Sequence, residues 1–175
     1  GENELTTRSR ELFVKLKNEY QHILEAEVGF DKELKRIFEE NELCQRISKI
    51  EGLGPVSSTA IVAAVGDANN FKNGRQMAAW LGLVPKQHSS GGKTVLLGIS
   101  KRGDSYLRML LIHGGRAALR WIMVRPLENL SPRQRIFREL AEKKGVNKAA
   151  VAMANKNARI IWAMMARNKE YSFSN

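Results

Sequence analysis

Residues 50–67 read IEGLGPVSSTAIVAAVGD. Gly52 and Gly54 flank a single leucine, Leu53, and so permit a tight turn that residues with a Cβ resist. Pro55 presets the first turn of a helix, and Val56 to Val65 then run small and mostly apolar. With a short helix expected over 43–50, the stretch spells helix, glycine hairpin, helix. This is the pattern of a mainly α chain, and the remaining segments agree with it.

On the N-terminal side, residues 8–41 predict one long helix. Phe13, Leu16, Tyr20, Ile23, Phe30, Leu34 and Ile37 recur in steps of three and four, interrupted only by Glu27 in the seam. Unbroken, such a helix is about 50 Å long at roughly 1.5 Å per residue; Gly29 is the place where it would bend or open into a helical hairpin. Its apolar stripe needs a partner, a second protomer or the chain's own body.

On the C-terminal side, NGRQMAAWLGLVP predicts a short helix ending near Gly82, with Met77, Ala78, Trp80 and Leu81 in the core. Asp104 to about Val124 is helical, with Leu107, Leu111 and Ala118 on one side and Arg108, Arg116 and Arg120 sharing a broad face on another. Ser131 N-caps a further helix with Pro132 at its first position, and a last helix runs from about Asn147 to Asn168. KTVLLGI is a candidate short strand. The expected architecture is therefore mainly α: a compact helical domain with a helix-hairpin-helix-like motif, a long N-terminal coiled-coil-type helix, and at most a short strand pair. Residues 1–44 form the interaction element and 45–175 the helical domain.

Charge divides the chain in the same way. Of the 175 residues, 29 are Lys or Arg and 18 Asp or Glu, a net charge of +11. Residues 1–51 hold 9 basic and 12 acidic side chains, and residues 52–175 hold 20 basic and 6 acidic. A net +14 in the second part points to a polyanion, nucleic acid before membrane, because the cations are not gathered on one amphipathic helix. There is no signal peptide and no apolar run long enough to span a membrane. The single cysteine, Cys44, allows neither an intrachain disulfide nor a cysteine metal cluster, which suits a reducing cytoplasm. A chain opening on Gly1 rather than Met is expected of a segment of something longer.

The glycine hairpin supports two functional readings. One is a helix-hairpin-helix that grips a phosphate through its amides, at Gly52 and Gly54, and through the following helix N-terminus. The other is a plain helical corner; Ser58, where the motif usually has Ala, counts slightly against the first. The stretch HSSGGKTVLLGISKRG, residues 88–103, sets three serines and four glycines among Lys93, Lys101 and Arg102. By composition it is a flexible turn; as chemistry it offers a serine nucleophile, cations to stabilise developing charge, and His88 as a proton acceptor. The six carboxylates of the basic part, Asp67, Asp104, Glu128, Glu139, Glu142 and Glu170, lack ligand spacing for metal-dependent cleavage. His22, His88 and His113 make no zinc pattern; His113 reads as a core residue and His22 as a surface one.

Together IEGLGPVSSTAIVAAVGDANNF, GRQMAAWLGLVPKQHSSGGK and GISKRGDSYLRMLLIHGGRAAL resemble the C-terminal transposase domain of an insertion-sequence family. That family includes pilin-gene inverting site-specific recombinases and bridge-RNA-guided recombinases. The resemblance is close over about residues 45–120 and rests on the glycine hairpin, A-x-x-G-L-x-P, S-G and I-S-K-x-G-x-x-x-L-R in order. It implies that Ser90, immediately before Gly91, attacks a DNA phosphodiester to give a phosphoserine that a second strand end resolves. Lys93, Lys101 and Arg102 would then contact nucleic acid or neutralise phosphate, while the face that carries Arg108 reads from its spacing either as solvated or as a ridge that tracks phosphates. It further implies DNA and, in some members, a guide RNA as partners, and Mg2+ held by an acidic RuvC-like domain absent from this chain. By the same resemblance the protein is expected to associate through its N-terminal helix, to sit at the bacterial nucleoid in the cytoplasm, and to be inactive as this segment alone. A non-catalytic DNA-binding module and a coiled-coil assembly element with an incidental basic surface are the alternatives.

Overall fold

The computed structural model describes residues 6–90 and 93–171, with the backbone alone over 88–90 and 93–96. Among these residues there are seven α-helices and one two-stranded antiparallel sheet. Helix α1, Thr7–Glu40, is continuous for 34 residues, so Gly29 does not break it into a hairpin. Its N-cap is Thr6, whose side chain accepts from the Ser9 amide, and its C-cap is Asn41. Asn41 also starts α2, Glu42–Ser48, by accepting from the Cys44 amide at 3.0 Å. One extended residue thus turns the chain from rod to body.

The glycine corner follows, then α3, Pro55–Val65, and α4, Gly74–Trp80. The strands β1, Pro85–Ser90, and β2, Lys93–Ile99, form a hairpin, after which come α5, Ser105–Val124, α6, Pro132–Lys144, and α7, Val146–Arg167. Ser131 caps α6 in a reciprocal capping box with Gln134. The mainly α expectation holds, and the short strand is paired.

Helix α7 is the axis of the body. Ala149, Ala150, Ala154 and Ala158, all fully buried, let its neighbours approach closely. A Cβ on Gly115 of α5 would lie 2.8 Å from the Ala150 carbonyl oxygen, and one on Gly74 of α4 would lie 2.9 Å from the Arg159 backbone. One core cluster joins Ile47, Ile61, Met77, Leu81, Leu111 and Ile161; a second joins Leu119, Leu130, Phe137 and Met153. Trp162 is pinned between the elements, its indole N–H donating to the Ala68 and Phe71 carbonyls, each at 3.1 Å. None of α1 is buried, and its stripe of Phe13, Leu16, Tyr20, Ile23, Phe30 and Ile37 is exposed.

Candidate nucleic-acid interface and serine hairpin

The residues around Ser90 form a β-ribbon. Ser89 pairs with Thr94 and Ser90 with Lys93, with an irregularity in register between Pro85 and Gln87. The reading of this stretch as a flexible turn or polar loop is corrected to that extent, because both serines belong to a strand. Directly paired residues have Cα atoms about 4.5–5.5 Å apart, so Ser90 and the cation-bearing Lys93 are held as neighbours by the ladder. The side chains of His88, Ser90 and Lys93 lie outside the described atoms.

At its base the hairpin is clamped by two backbone elements. The Ser100 amide donates to the Val84 carbonyl at 2.8 Å and the Lys101 amide to the Gly82 carbonyl at 3.1 Å. Gly82, at φ +70°, and Gly103, at φ +113°, have no room for a side chain. A Cβ on Gly82 would sit 2.3 Å from the Arg102 carbonyl oxygen, and one on Gly103 would sit 1.9 Å from that of Trp80. Hence the segments AWLG and SKRG, some twenty residues apart, are one knot. The knot pushes Lys101 and Arg102 outward, and both are exposed with no ion-pair partner among the described residues. Lys101 takes the left-handed region, φ +56°, a conformation that costs an L residue about 1 kcal/mol or more. A glycine would take that conformation without strain.

The glycine corner is built for close approach. Gly52 has φ +84°, and a Cβ there would fall 2.3 Å from the Gly114 carbonyl oxygen of α5. Gly52 is therefore a packing residue in the first instance. Gly54 is different: it N-caps α3 without a side-chain bond, and nothing lies within 4 Å of where its Cβ would be. Ser58 is fully buried, and its hydroxyl donates back to the Gly54 and Pro55 carbonyls at 2.9 and 3.1 Å. The polar atom in place of the expected Ala is thus satisfied within its own helix.

The arginines of α5 diverge. Arg108 is half-buried, its Nη1 donating to the Gly103 and Asp104 carbonyls at 3.3 and 3.4 Å, so it braces the hairpin base. Arg116 donates through Nε to Asn147 at 3.1 Å, and Arg120 is exposed. His113, expected in the core, is exposed on α5, and Trp80, also expected in the core, is 38% exposed, tilted against Phe71 at 5.4 Å between centroids. Each flanks buried neighbours, Leu111 and Leu81, without sharing their side of the helix. Asp67 and Asp104 serve as helix caps, accepting from the Asn69 and Leu107 amides.

A buried polar network lies below the corner. The Arg133 guanidinium donates to Asn157 and Tyr171 and faces Glu51 Oε2 at 3.9 Å. Asn157 Nδ2 donates to the Glu51 carbonyl at 3.0 Å, and Gln134 Nε2 to the Glu51 carboxylate at 2.7 Å. Burial pushes the Tyr171 phenol above its ordinary pKa, and burial likewise pushes the Cys44 thiol up, leaving a poor nucleophile. No local pattern in the sequence announced this network, since its members are separated by up to 120 residues. It is the lock between corner, α6 and α7.

Comparison with known proteins bears on what this geometry serves. Residues 44–135, from α2 through the glycine corner and the hairpin into α6, match the family described as "Transposase IS116/IS110/IS902 family". The chain is 45% identical over 168 residues to a transposase for insertion sequence element IS1111A of Coxiella burnetii, covering 95% of this chain and 45% of that protein. It is 46% identical over 162 residues to a probable family 20 transposase of Pseudomonas aeruginosa, covering 92% of this chain and 46% of that one. A transposase for insertion sequence element IS1328 of Yersinia enterocolitica is 34% identical over 173 residues, 98% of this chain and 50% of that protein. The chain spans about half the length of the curated relatives it matches.

Proposed function

The chain belongs to the Transposase IS116/IS110/IS902 family, and from that membership we propose that it is the serine-bearing half of an insertion-sequence transposase, binding DNA and presenting Ser90 for strand cleavage and exchange. The observation that carries the reading is the paired hairpin, with Ser90 opposite Lys93 and with Lys101 and Arg102 exposed at its clamped base.

In the step proposed, the Ser90 hydroxyl oxygen forms a bond to a backbone phosphorus while one P–O bond of the phosphodiester breaks. The serine proton goes to a general base, and the departing strand oxygen takes up a proton as it leaves. The strand end that arrives next displaces the serine and restores a phosphodiester, so no bond energy is lost to hydrolysis between cleavage and joining. Lys93, Lys101 and Arg102 lower the cost of the extra negative charge on the phosphorane-like transition state. Gly54 and the first turn of α3 hold a second backbone phosphate without reading sequence, as a helix-hairpin-helix would. Mg2+ would be supplied by an acidic domain outside this chain, since among the described residues no group of three or more His, Cys, Asp or Glu could hold a metal. The isolated chain is accordingly expected to bind DNA without recombining it. Self-association runs through the exposed stripe of α1, and a guide RNA is a further polyanion that the basic body would accept. Among the described residues no helix is long and apolar enough to cross a membrane.

Replacing Ser90 by Ala in the full-length parent protein tests the reading. Loss of recombination by at least a hundredfold with retained DNA affinity, together with a DNA adduct mapped to Ser90 by mass spectrometry, is the expected result. Unchanged recombination sinks the nucleophile and leaves the non-catalytic DNA-binding module, for which the open Gly54 corner is the supporting feature.

A further inference from the structure

Between the start of α4 and the C-terminal half of α7 lies a cleft of about 550 Å³. Arg75, Lys156, Arg159 and Lys169 line it, with Glu170 as its one carboxylate. All four cations are exposed, and none has an ion pair or side-chain hydrogen bond among the described residues. Some surface cations elsewhere do form pairs, such as Arg138 with Glu142 at 3.1 Å and Lys143 with Glu139 at 3.7 Å. Four unpaired like charges around one concavity repel one another and add nothing to the stability of the free fold.

The floor of the cleft is fixed. Trp162 is held by its two carbonyl acceptors, Tyr171 accepts from the buried Arg133, and Met164 is buried, so the cleft has no mobile aromatic on which a base could stack. The rim is therefore what recognises a ligand, and it recognises negative charge. The position of the cleft in the fold says whose charge. Asn155 of α7 donates to the Leu83 carbonyl at 3.2 Å, where the chain enters the hairpin. Lys156 is the next residue, and Arg159 lies four residues beyond Asn155, about 6 Å along the axis. At Arg159 the start of α4 lies against α7. The cleft thus begins within one turn of the base of the ribbon that carries Ser90.

We infer that this cleft is a backbone-phosphate clamp: Arg75, Lys156, Arg159 and Lys169 grip the nucleic acid next to the segment that the hairpin engages. The inference rests on the reading of the chain as a DNA binder and adds a further grip to it. Contact with DNA beside the base of the ribbon helps to fix the register of the duplex while its phosphodiester is attacked, a positioning task that sequence-independent contacts perform.

The test is a salt titration of the chain on a fluorescent duplex. Each phosphate neutralised contributes about −0.9 to the slope of log K against log salt. Lys156→Gln with Arg159→Gln is expected to flatten that slope by about two units and to weaken binding at least tenfold at 150 mM salt. Arg75→Gln alone is expected to flatten it by about one. All these side chains are exposed, so melting temperatures should stay at the parent value and affirm the fold. Lys32→Gln with Lys35→Gln on α1 removes the same net charge and should leave the slope unchanged. Equal slopes in the parent and both double variants, or equal flattening by both doubles, overturn the clamp while leaving DNA binding intact. Competition by inorganic phosphate at matched ionic strength, beyond that of chloride, assigns the cleft to a small anion and also overturns it. Failure of the parent chain to bind duplex at low salt overturns the DNA-binding reading itself.

Discussion

Helices α1 and α7 are built by opposite means. Over 34 residues α1 buries no side chain, whereas α7 buries nine within 22. Along α1 the support is local: Arg36 meets Glu33 at 2.7 Å and Glu40 at 3.1 Å, and Lys35 meets Glu39 at 3.8 Å. The guanidinium of Arg36 holds the Glu33 carboxyl below its ordinary pKa, yet the pairs are fully exposed and worth little. In α7 the support is tertiary, alanines and methionines meshed with α4, α5 and α6. A helix held by packing is rigid wherever it is; a helix held by exposed pairs is a rod waiting for a partner. The division of labour fits a body that positions DNA and an arm that brings protomers together.

The sharpest way to break the body is through its buried polar lock. Arg133→Met leaves Glu51, Asn157 and Tyr171 facing apolar atoms, and removing one partner of a buried, hydrogen-bonded pair costs about 3–5 kcal/mol. The urea midpoint should fall accordingly, while α1 keeps its helical signal only to the extent that its own local support suffices. A fall of less than about 1 kcal/mol would mean that Arg133 reaches solvent and that corner, α6 and α7 are not locked together there.

Next in size is Gly114→Ala. A Cβ at that position would come within 1.8 Å of the Gly52 carbonyl oxygen, backbone against backbone, with no flexible side chain to yield. Separating α5 from the corner should cost about 1–3 kcal/mol. Because the corner carries Gly54 and the start of α3, the same change should weaken duplex binding more than a surface substitution of equal charge. Unaltered stability would show that the corner does not rest on α5.

Those two residues also show what the sequence could and could not disclose. Features set by neighbours in the chain were legible: Gly52 and Pro55 at the turn, Ser131 and Pro132 at the start of α6, the onset of α5 near Asp104, and the three-four stripe of α1. Each acts within a few residues of itself, so its signal is local. The contact of Gly52 with Gly114 is a meeting across 62 positions, and nothing in IHGGR specifies which carbonyl it will face. Half of the ribbon around Ser90 was legible, since KTVLLGI reads as a strand; its partner, the strand that carries Ser89 and Ser90, escaped for a related reason. Serine and glycine are poor strand formers, and the pairing of Ser89 with Thr94 and Ser90 with Lys93 comes from the ladder rather than from propensity. Trp80 and His113 were misplaced because apolar neighbours suggest a core face, whereas the side that a residue occupies depends on which helix lies across it. The cations of the cleft are drawn from α4, α7 and the segment after it, so no run of basic residues flagged them.

The arm breaks differently. Tyr20→Lys with Ile23→Lys should leave the urea midpoint of the body within about 0.5 kcal/mol, because both side chains are already exposed, at 62% and 58%. The effect belongs to assembly: sedimentation should show the oligomer shifting to monomer, with duplex affinity per chain retained. A shift in the midpoint of the body, or an unchanged oligomer, would place the stripe against the body in solution or assign assembly to another surface.

The smallest effect reverses the sign of the glycine-to-alanine change in the body. At Gly29 nothing lies within 4 Å of the missing Cβ, and α1 continues unbroken through the position. Alanine there loses less backbone entropy on helix formation and should add about 0.5–1 kcal/mol to the helix. The gain should appear in the melting of α1, read by a spectroscopic probe on the arm, and not in that of the body. The same chemical change thus measures two environments: at Gly114 it inserts a methyl group where a carbonyl already sits, and at Gly29 it only restricts an unfolded chain. If Gly29→Ala instead destabilised the arm or blocked association, the glycine would be making room for a closely packed second helix, and the arm's partner would sit at that point of the rod.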